Sequence, residues 1–198
     1  MHTHPKHAGW IEVITGCMFS GKTEELVRRL RRAEYAKQTI RVFKPALDNR
    51  YSETQVASHD GVTAEAIAVS SPVEIWDQSQ DAQVVGIDEA QFYDEALIEV
   101  VQKLAKSGKR VIVSALDMDY RGKPFGVTPQ LLAIAEKVDK IQAVCVQCGA
   151  HATRSQRIVD SQEQVLVGAS SAYEARCRSC WDPEPVFTRF EDIGEMDG

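Results

Sequence analysis

Apolar residues fall along the chain in short unbroken runs, separated by stretches in which they recur about every three to four positions. Trp10 to Thr15, Thr39 to Phe43, Glu65 to Val69, Val84 to Asp88 and Arg110 to Leu116 read as strands. Between them, Glu24 to Ala36, Val73 to Gln78 and Asp94 to Ser107 read as helices, and Gly108 closes the last. In the first helix Leu26, Val27, Leu30 and Ala33 share one face, while Arg28, Arg29, Arg31 and Arg32 lie on the other, a solvated or subunit-contacting surface. A helix from Pro129 to Lys137 and a strand from Ile141 to Val146 follow. Strands that are apolar throughout, such as Val84-Val85-Gly86-Ile87 and Val111-Ile112-Val113, alternate with amphipathic helices. That pattern predicts an α/β fold, a parallel sheet with helices on both faces and ligands at the carboxyl ends of its strands. The polar segment Lys44 to Gly61 is too long for a simple connection and reads as a binding loop.

Composition narrows the class. A chain of 198 residues, 43% of them hydrophobic, supports one main domain with a small attachment. No run approaches the roughly 18 apolar residues of a membrane span, and the amino terminus lacks the apolar centre of a signal peptide. A cytoplasmic protein with no membrane partner is expected. Much of the net charge of −6 sits in residues 182–198, where six acidic residues face Arg189 alone. This stretch reads as a solvated, poorly ordered tail. The nearly neutral remainder lacks the basic excess of a duplex-binding protein, so no nucleic-acid partner is expected. His2, His4 and His7 read as part of an unstructured leader, residues 1–9.

Gly16-Cys17-Met18-Phe19-Ser20-Gly21-Lys22-Thr23 is a complete G-x-x-x-x-G-K-T phosphate-binding loop between a strand and a helix. Its glycines let the backbone wrap round phosphate oxygens, with N–H groups and the positive helix end facing the anion. Lys22 would reach the terminal phosphates and Thr23 would place its hydroxyl on Mg²⁺. Cys17 reads as a small space-filling residue, with a redox-active thiol at a helix N-terminus as the alternative. The strand Val84 to Asp88, expected beside the phosphate-loop strand, ends in two carboxylates. Asp88 suits Mg²⁺, directly or through water, and Glu89 suits a base or a positioner of the nucleophile. Asp88-Glu89-Ala90-Gln91 also spells a helicase signature, but such motors need two domains of about 150 residues each. This chain has room for one.

Cys145-x-x-Cys148 and Cys177-x-x-Cys180 have the pairwise spacing of a structural zinc site, and a reducing compartment disfavours disulfides. The 28 residues between the pairs form a candidate lid. Its arginines, Arg154, Arg157 and Arg176, are balanced by Asp160, Glu163 and Glu174, which suits a small uncharged partner. A nucleotide-gated module holding nucleic acid or protein is the competing class.

The order of these motifs, with Phe92 after the acidic strand and Leu116-Asp117-Met118-Asp119-Tyr120-Arg121-Gly122-Lys123-Pro124-Phe125-Gly126 before the cysteines, resembles the type II thymidine kinases from about Trp10 to Cys180. The resemblance implies a RecA-like P-loop NTPase domain at residues 10–144, a zinc-clamped lasso or lid at 145–181, and a tail at 182–198. It implies transfer of the γ-phosphoryl group of MgATP to the 5′-hydroxyl of thymidine, with deoxyuridine also accepted. A homotetramer inhibited by dTTP is implied as well. Glu89 matches the catalytic carboxylate. The loop residues Gly16 to Thr23, with Asp88, Glu89, Ala90, Gln91 and Arg50, match the ATP site, and Asp48 matches a position near the phosphates and metal that also serves the substrate. Met18, Leu116, Tyr120 and Phe125 match the base pocket. Ser155, Leu166 and Gly168 match lid positions that read the base through their backbone, and Tyr173 matches the residue holding the sugar side.

Overall fold

The computed structural model describes residues 8–46, 55–57, 63–160 and 172–183. In chain order its elements are β1 (Trp10–Gly16), α1 (Lys22–Tyr35), β2 (Ile40–Pro45), β3 (Gln55–Ala57), β4 (Thr63–Glu65), β5 (Ile67–Val69), α2 (Pro72–Asp77) and β6 (Val84–Ile87). A single 3₁₀ turn, Ala90–Phe92, leads to α3 (Ala96–Lys106), β7 (Arg110–Leu116), α4 (Thr128–Ile134) and β8 (Lys137–Lys140). Four short strands complete the fold: β9 (Ala143–Val144), β10 (His151–Ala152), β11 (Arg154–Arg157) and β12 (Tyr173–Arg176).

Six parallel strands form the main sheet in the order β5-β2-β6-β7-β1-β8. Successive side chains of a strand point to opposite faces, so strands that are apolar throughout must be covered twice. Ile14, Val42, Val84 and Ile112 pack under Leu26, Val27, Leu30 and Ala33 of α1. Val13, Phe43, Val85, Ile87, Val111 and Val113 pack on the other face against Ile75, Leu97, Val101, Leu104 and Leu131 of α2, α3 and α4. Each such aliphatic side chain, removed wholly from water, contributes roughly 1.5–3 kcal/mol.

The structure corrects five expectations. The acidic strand β6 is not beside the phosphate-loop strand, because β7 lies between β6 and β1. The last helix stops at Ile134, where Ala135 turns extended, and Lys137, expected to be helical, begins the edge strand β8. The strand expected from Ile141 to Val146 shrinks to β9 and belongs to a separate two-stranded sheet with β10. The expected strand at Glu65 to Val69 breaks at Ala66, so that β4 pairs antiparallel with β3 while β5 joins the main sheet.

The fifth correction concerns the basic face of α1. Arg28, Arg31 and Arg32 are exposed, but Arg29 is only 4% exposed. Its guanidinium meets Glu12 on β1 at 2.7 Å, Glu25 at 2.8 Å and Asp139 on β8 at 2.5 Å. Glu12, itself buried, also accepts from Arg110 Nε at 2.7 Å and Trp10 Nε1 at 2.8 Å. This network fastens α1 to β1 and β8. Hydrogen bonds from Arg28, and then from Arg29, outweigh burial and hold Glu25 at about 2, below its ordinary 4.5. At Glu12 burial pushes upward, but the bonds from Arg110 and Trp10 and the charges of Arg110 and Arg29 win and lower it.

A carboxylate depressed in the folded state stabilises fully above its unfolded pKa, and that stability drains as pH falls through the folded value. For Glu25 the window runs from about 4.5 down to about 2. Arg29→Met should destabilise the protein by about 3–5 kcal/mol at pH 7, because Glu12 is left buried and uncompensated. In urea titrations the gap between the variant and the parent should narrow at pH 3. An equal gap at both pH values would exclude the network as its source.

Candidate active site

The backbone of the phosphate loop is shaped by positions where a side chain cannot fit. Gly16 has φ 146°, and a Cβ there would lie 2.2 Å from the carbonyl oxygen of Ile141. Gly21, with φ 83°, caps α1 in the left-handed region and starts the helix at Lys22. The unsatisfied N–H groups of that first turn therefore face the loop. Lys22 Nζ donates to the Cys17 carbonyl at 2.8 Å. Burial lowers the Lys22 pKa, against the opposing pull of nearby groups that include Glu89, Asp88 and Asp117.

Although β7 separates β6 from β1, α1 crosses the sheet and carries Thr23 to the end of β6. Thr23 Oγ1 donates to Asp88 Oδ2 at 3.2 Å, and Asp88 Oδ1 accepts from Glu89 N at 3.0 Å. A hydroxyl and a carboxylate converging beside a phosphate loop form a donor set that fits a hard divalent cation. Glu89 adopts the left-handed conformation, φ 50° and ψ 41°, which costs a non-glycine residue roughly 1–3 kcal/mol and tends to persist at functional positions. Gln91 secures it. The Gln91 amide nitrogen donates to the Glu89 carboxylate, and its oxygen accepts from Leu116 N at 3.0 Å. Both Gln91 and Ala90 are buried, so the Gln91 side chain orients Glu89 against the end of β7.

Aromatic side chains gather round the loop after β7 and the lasso. The loop after β7 is folded round Asp119, whose Oδ1 accepts from Arg121 N and Lys123 N, both at 3.0 Å. This turn projects Tyr120. Tyr120 packs with Met18 of the phosphate loop and with Ala172 and Tyr173 of the lasso. Phe125 meets Phe92 edge-on, with centroids 5.7 Å apart. Of the residues expected around a base, Met18, Tyr120 and Tyr173 are thus brought into one cluster, while Leu116 is tied to the Glu89 side through its backbone N–H. Ser155 is buried and its Oγ accepts from Met18 N at 3.0 Å, joining lasso to phosphate loop. Asp48, Arg50, Leu166 and Gly168 lie outside the described residues, as do residues 1–7 and 184–198.

Cys17 is 2% exposed and packs among Ala143, Cys145, Ala152, Ala175 and Cys177. Its thiol donates to the Ala152 carbonyl at 3.4 Å, and burial pushes its pKa up. The space-filling reading therefore holds over the redox one. Beside it, the Sγ atoms of Cys145, Cys148, Cys177 and Cys180 all lie within 4.8 Å of one another, with Cys148 and Cys177 at 3.7 Å. Tetrahedral Zn–S bonds of about 2.3 Å require sulfurs about 3.8 Å apart, so the cluster fits a structural zinc ion. Burial pushes the Cys145 thiol up, but backbone donors from Cys177, Cys148 and Gln147 win and bring it down to about 6, while hydrogen bonds from Cys177 and Cys148 push Cys180 up to about 12.

Three residues of this region were given no site role from the sequence: Phe92, Arg157 and Trp181. Trp181 Nε1 donates to the Tyr120 carbonyl at 3.2 Å, and its ring packs on Gly122. Arg157, counted as a lid charge, is 1% exposed and lies beneath Tyr120. Adjacency to Cys180 was the available signal for Trp181; nothing local marked Arg157.

The sheet, loop and carboxylates define a P-loop protein built to hold nucleotide phosphates, with an aromatic cluster and a four-cysteine knuckle against the loop. The sequence matches the thymidine kinase family over residues 9–181, and the chain belongs to that family of ATP-dependent phosphotransferases. Among solved structures, the Legionella pneumophila ATPase DotB is similar at a TM-score of 0.39 and 14% identity, covering 66% of this chain and 35% of DotB. The chain thus spans about a third of DotB's length.

Metal analysis of protein purified without chelators should find one zinc per chain, and Cys177→Ser should lose it. Zinc-free parent protein that remains folded would contradict the knuckle.

Proposed function

We propose that the protein transfers the γ-phosphoryl group of MgATP to the 5′-hydroxyl of thymidine, giving dTMP. The observation that supports this reading is that Gln91 holds the Glu89 carboxylate and the Leu116 N–H together, while Met18 of the phosphate loop packs with Tyr120 and Tyr173. Residues 10–144 serve as the nucleotide-binding part and residues 145–181 as the lid over the nucleoside.

Phosphoryl transfer passes through a loose transition state, so positioning and charge stabilisation outweigh proton removal. The loop N–H groups from Gly16 to Thr23 cradle the phosphates, and Lys22 neutralises charge building on the transferring group. Thr23 and Asp88 would hold Mg²⁺, which supplies further charge neutralisation at the β- and γ-phosphates. Glu89 orients the 5′-hydroxyl and accepts its proton late in the transfer. Arg50 clamps phosphate with its fork of donors, and Asp48 acts beside it.

Met18, Leu116, Tyr120 and Phe125 enclose a single pyrimidine ring, while Ser155, Leu166 and Gly168 read its polar edge and Tyr173 holds the sugar. Purine nucleosides, with two fused rings, should be discriminated against strongly. One methyl group in an apolar pocket is worth about 1–3 kcal/mol, so deoxyuridine is discriminated against only partly. The reading includes a cytoplasmic homotetramer inhibited by dTTP. Among the described residues, no helix is long and apolar enough to cross a membrane.

Glu89→Gln should lower kcat for thymidine phosphorylation by about 10²–10⁴-fold while ATP affinity, measured by equilibrium binding, stays within a factor of about two. Full turnover in that variant would remove Glu89 from the chemistry.

A further inference from the structure

Arg157 is a charged side chain buried where an apolar one would fill space at less desolvation cost. It lies on β11 directly opposite Tyr173 of β12. Its guanidinium carbon is 3.7 Å from the centroid of the Tyr120 ring, a close stack on the face, and 5.1 Å from that of Tyr173. Its Nη2 donates to the Tyr173 hydroxyl. The Tyr120 hydroxyl accepts at 2.8 Å from Arg121 Nε. One guanidinium therefore touches two tyrosines that come from separate segments, the loop after β7 and the second strand of the lasso.

We propose that Arg157 is a positioning residue for the nucleoside, acting through Tyr120 and Tyr173; this rests on the reading of those tyrosines as the nucleoside wall. Two effects follow from the geometry. Stacking on the planar guanidinium fixes the plane of the Tyr120 ring, and a flexible ammonium cannot reproduce that contact. A phenol has one proton, and a hydroxyl that accepts from an arginine directs that proton elsewhere. Arg157 thereby commits the Tyr173 hydroxyl to donate towards an acceptor oxygen, the chemistry that a deoxyribose oxygen offers.

The role predicts a selective defect. Arg157→Gln should raise KM for thymidine about 10-fold or more, with KM for ATP and zinc content unchanged, because the described contacts of its guanidinium are with Tyr120 and Tyr173. Arg157→Lys should recover only part of the loss. In a Tyr173→Phe background, which already lacks the directed proton, Arg157→Gln should cost clearly less than in the parent. Tyr120→Ala serves as the control on the pocket itself. An unchanged thymidine KM in Arg157→Gln alongside a raised one in Tyr120→Ala would overturn the positioning role alone. Equal losses for ATP and thymidine with zinc released would assign Arg157 a purely structural place and overturn the role too. No effect of Tyr120→Ala would overturn the pocket reading and this inference with it.

Discussion

One short stretch of backbone, Gly16 to Gly21, is gripped from two sides, and the rest of the site takes its position from that grip. On the sheet side, Gly16 passes so close to the Ile141 carbonyl that no side chain could replace its hydrogen. On the lasso side, Met18 N donates to Ser155 and the Cys17 thiol donates to Ala152. A phosphate loop must hold its N–H groups in place before the ligand arrives, since reorganising them on binding would consume affinity. Contact with the lasso makes the four-cysteine knuckle part of that preorganisation, because Cys17 packs directly on Cys145 and Cys177.

Glu89 and Tyr120 are held in a similar way. Glu89 sits in a strained conformation that the surrounding structure over-determines through Asp88, Gln91 and Leu116. Tyr120 is held by a turn built on Asp119 and by Trp181 on its carbonyl. Trp181 follows Cys180 directly, so the knuckle reaches both the phosphate loop and the loop that carries Tyr120. The network round Arg29 performs a parallel task for the sheet: it ties α1, which carries Lys22 and Thr23, to β1 and β8.

Strands buried on both faces were legible as continuous apolar runs, and β7 spans the expected Arg110 to Leu116. The edge strand β8 was not, because its charges serve tertiary partners. Asp139 binds Arg29, and Lys140 lies 2.6 Å from Asp117 on the neighbouring loop. The phosphate loop and the cysteine pairs were readable because their chemistry demands fixed spacings. Arg29 and Arg157 were not, since charge patterning treats an arginine as solvated and only the folded chain supplies the carboxylates and rings that bury it. Strand order was equally invisible: the insertion of β7 between β1 and β6 is a matter of topology, with no local sequence signal.

We propose that Glu89 acts between nucleotide phosphates and a single-ring nucleoside. The most direct test is ADP formation by the purified protein with MgATP, alone and with thymidine, deoxycytidine or deoxyguanosine. Stimulation by thymidine, with deoxycytidine and deoxyguanosine inactive, is the expected result. Equal turnover with all three nucleosides, or none with any while ATP and zinc are bound, would contradict it.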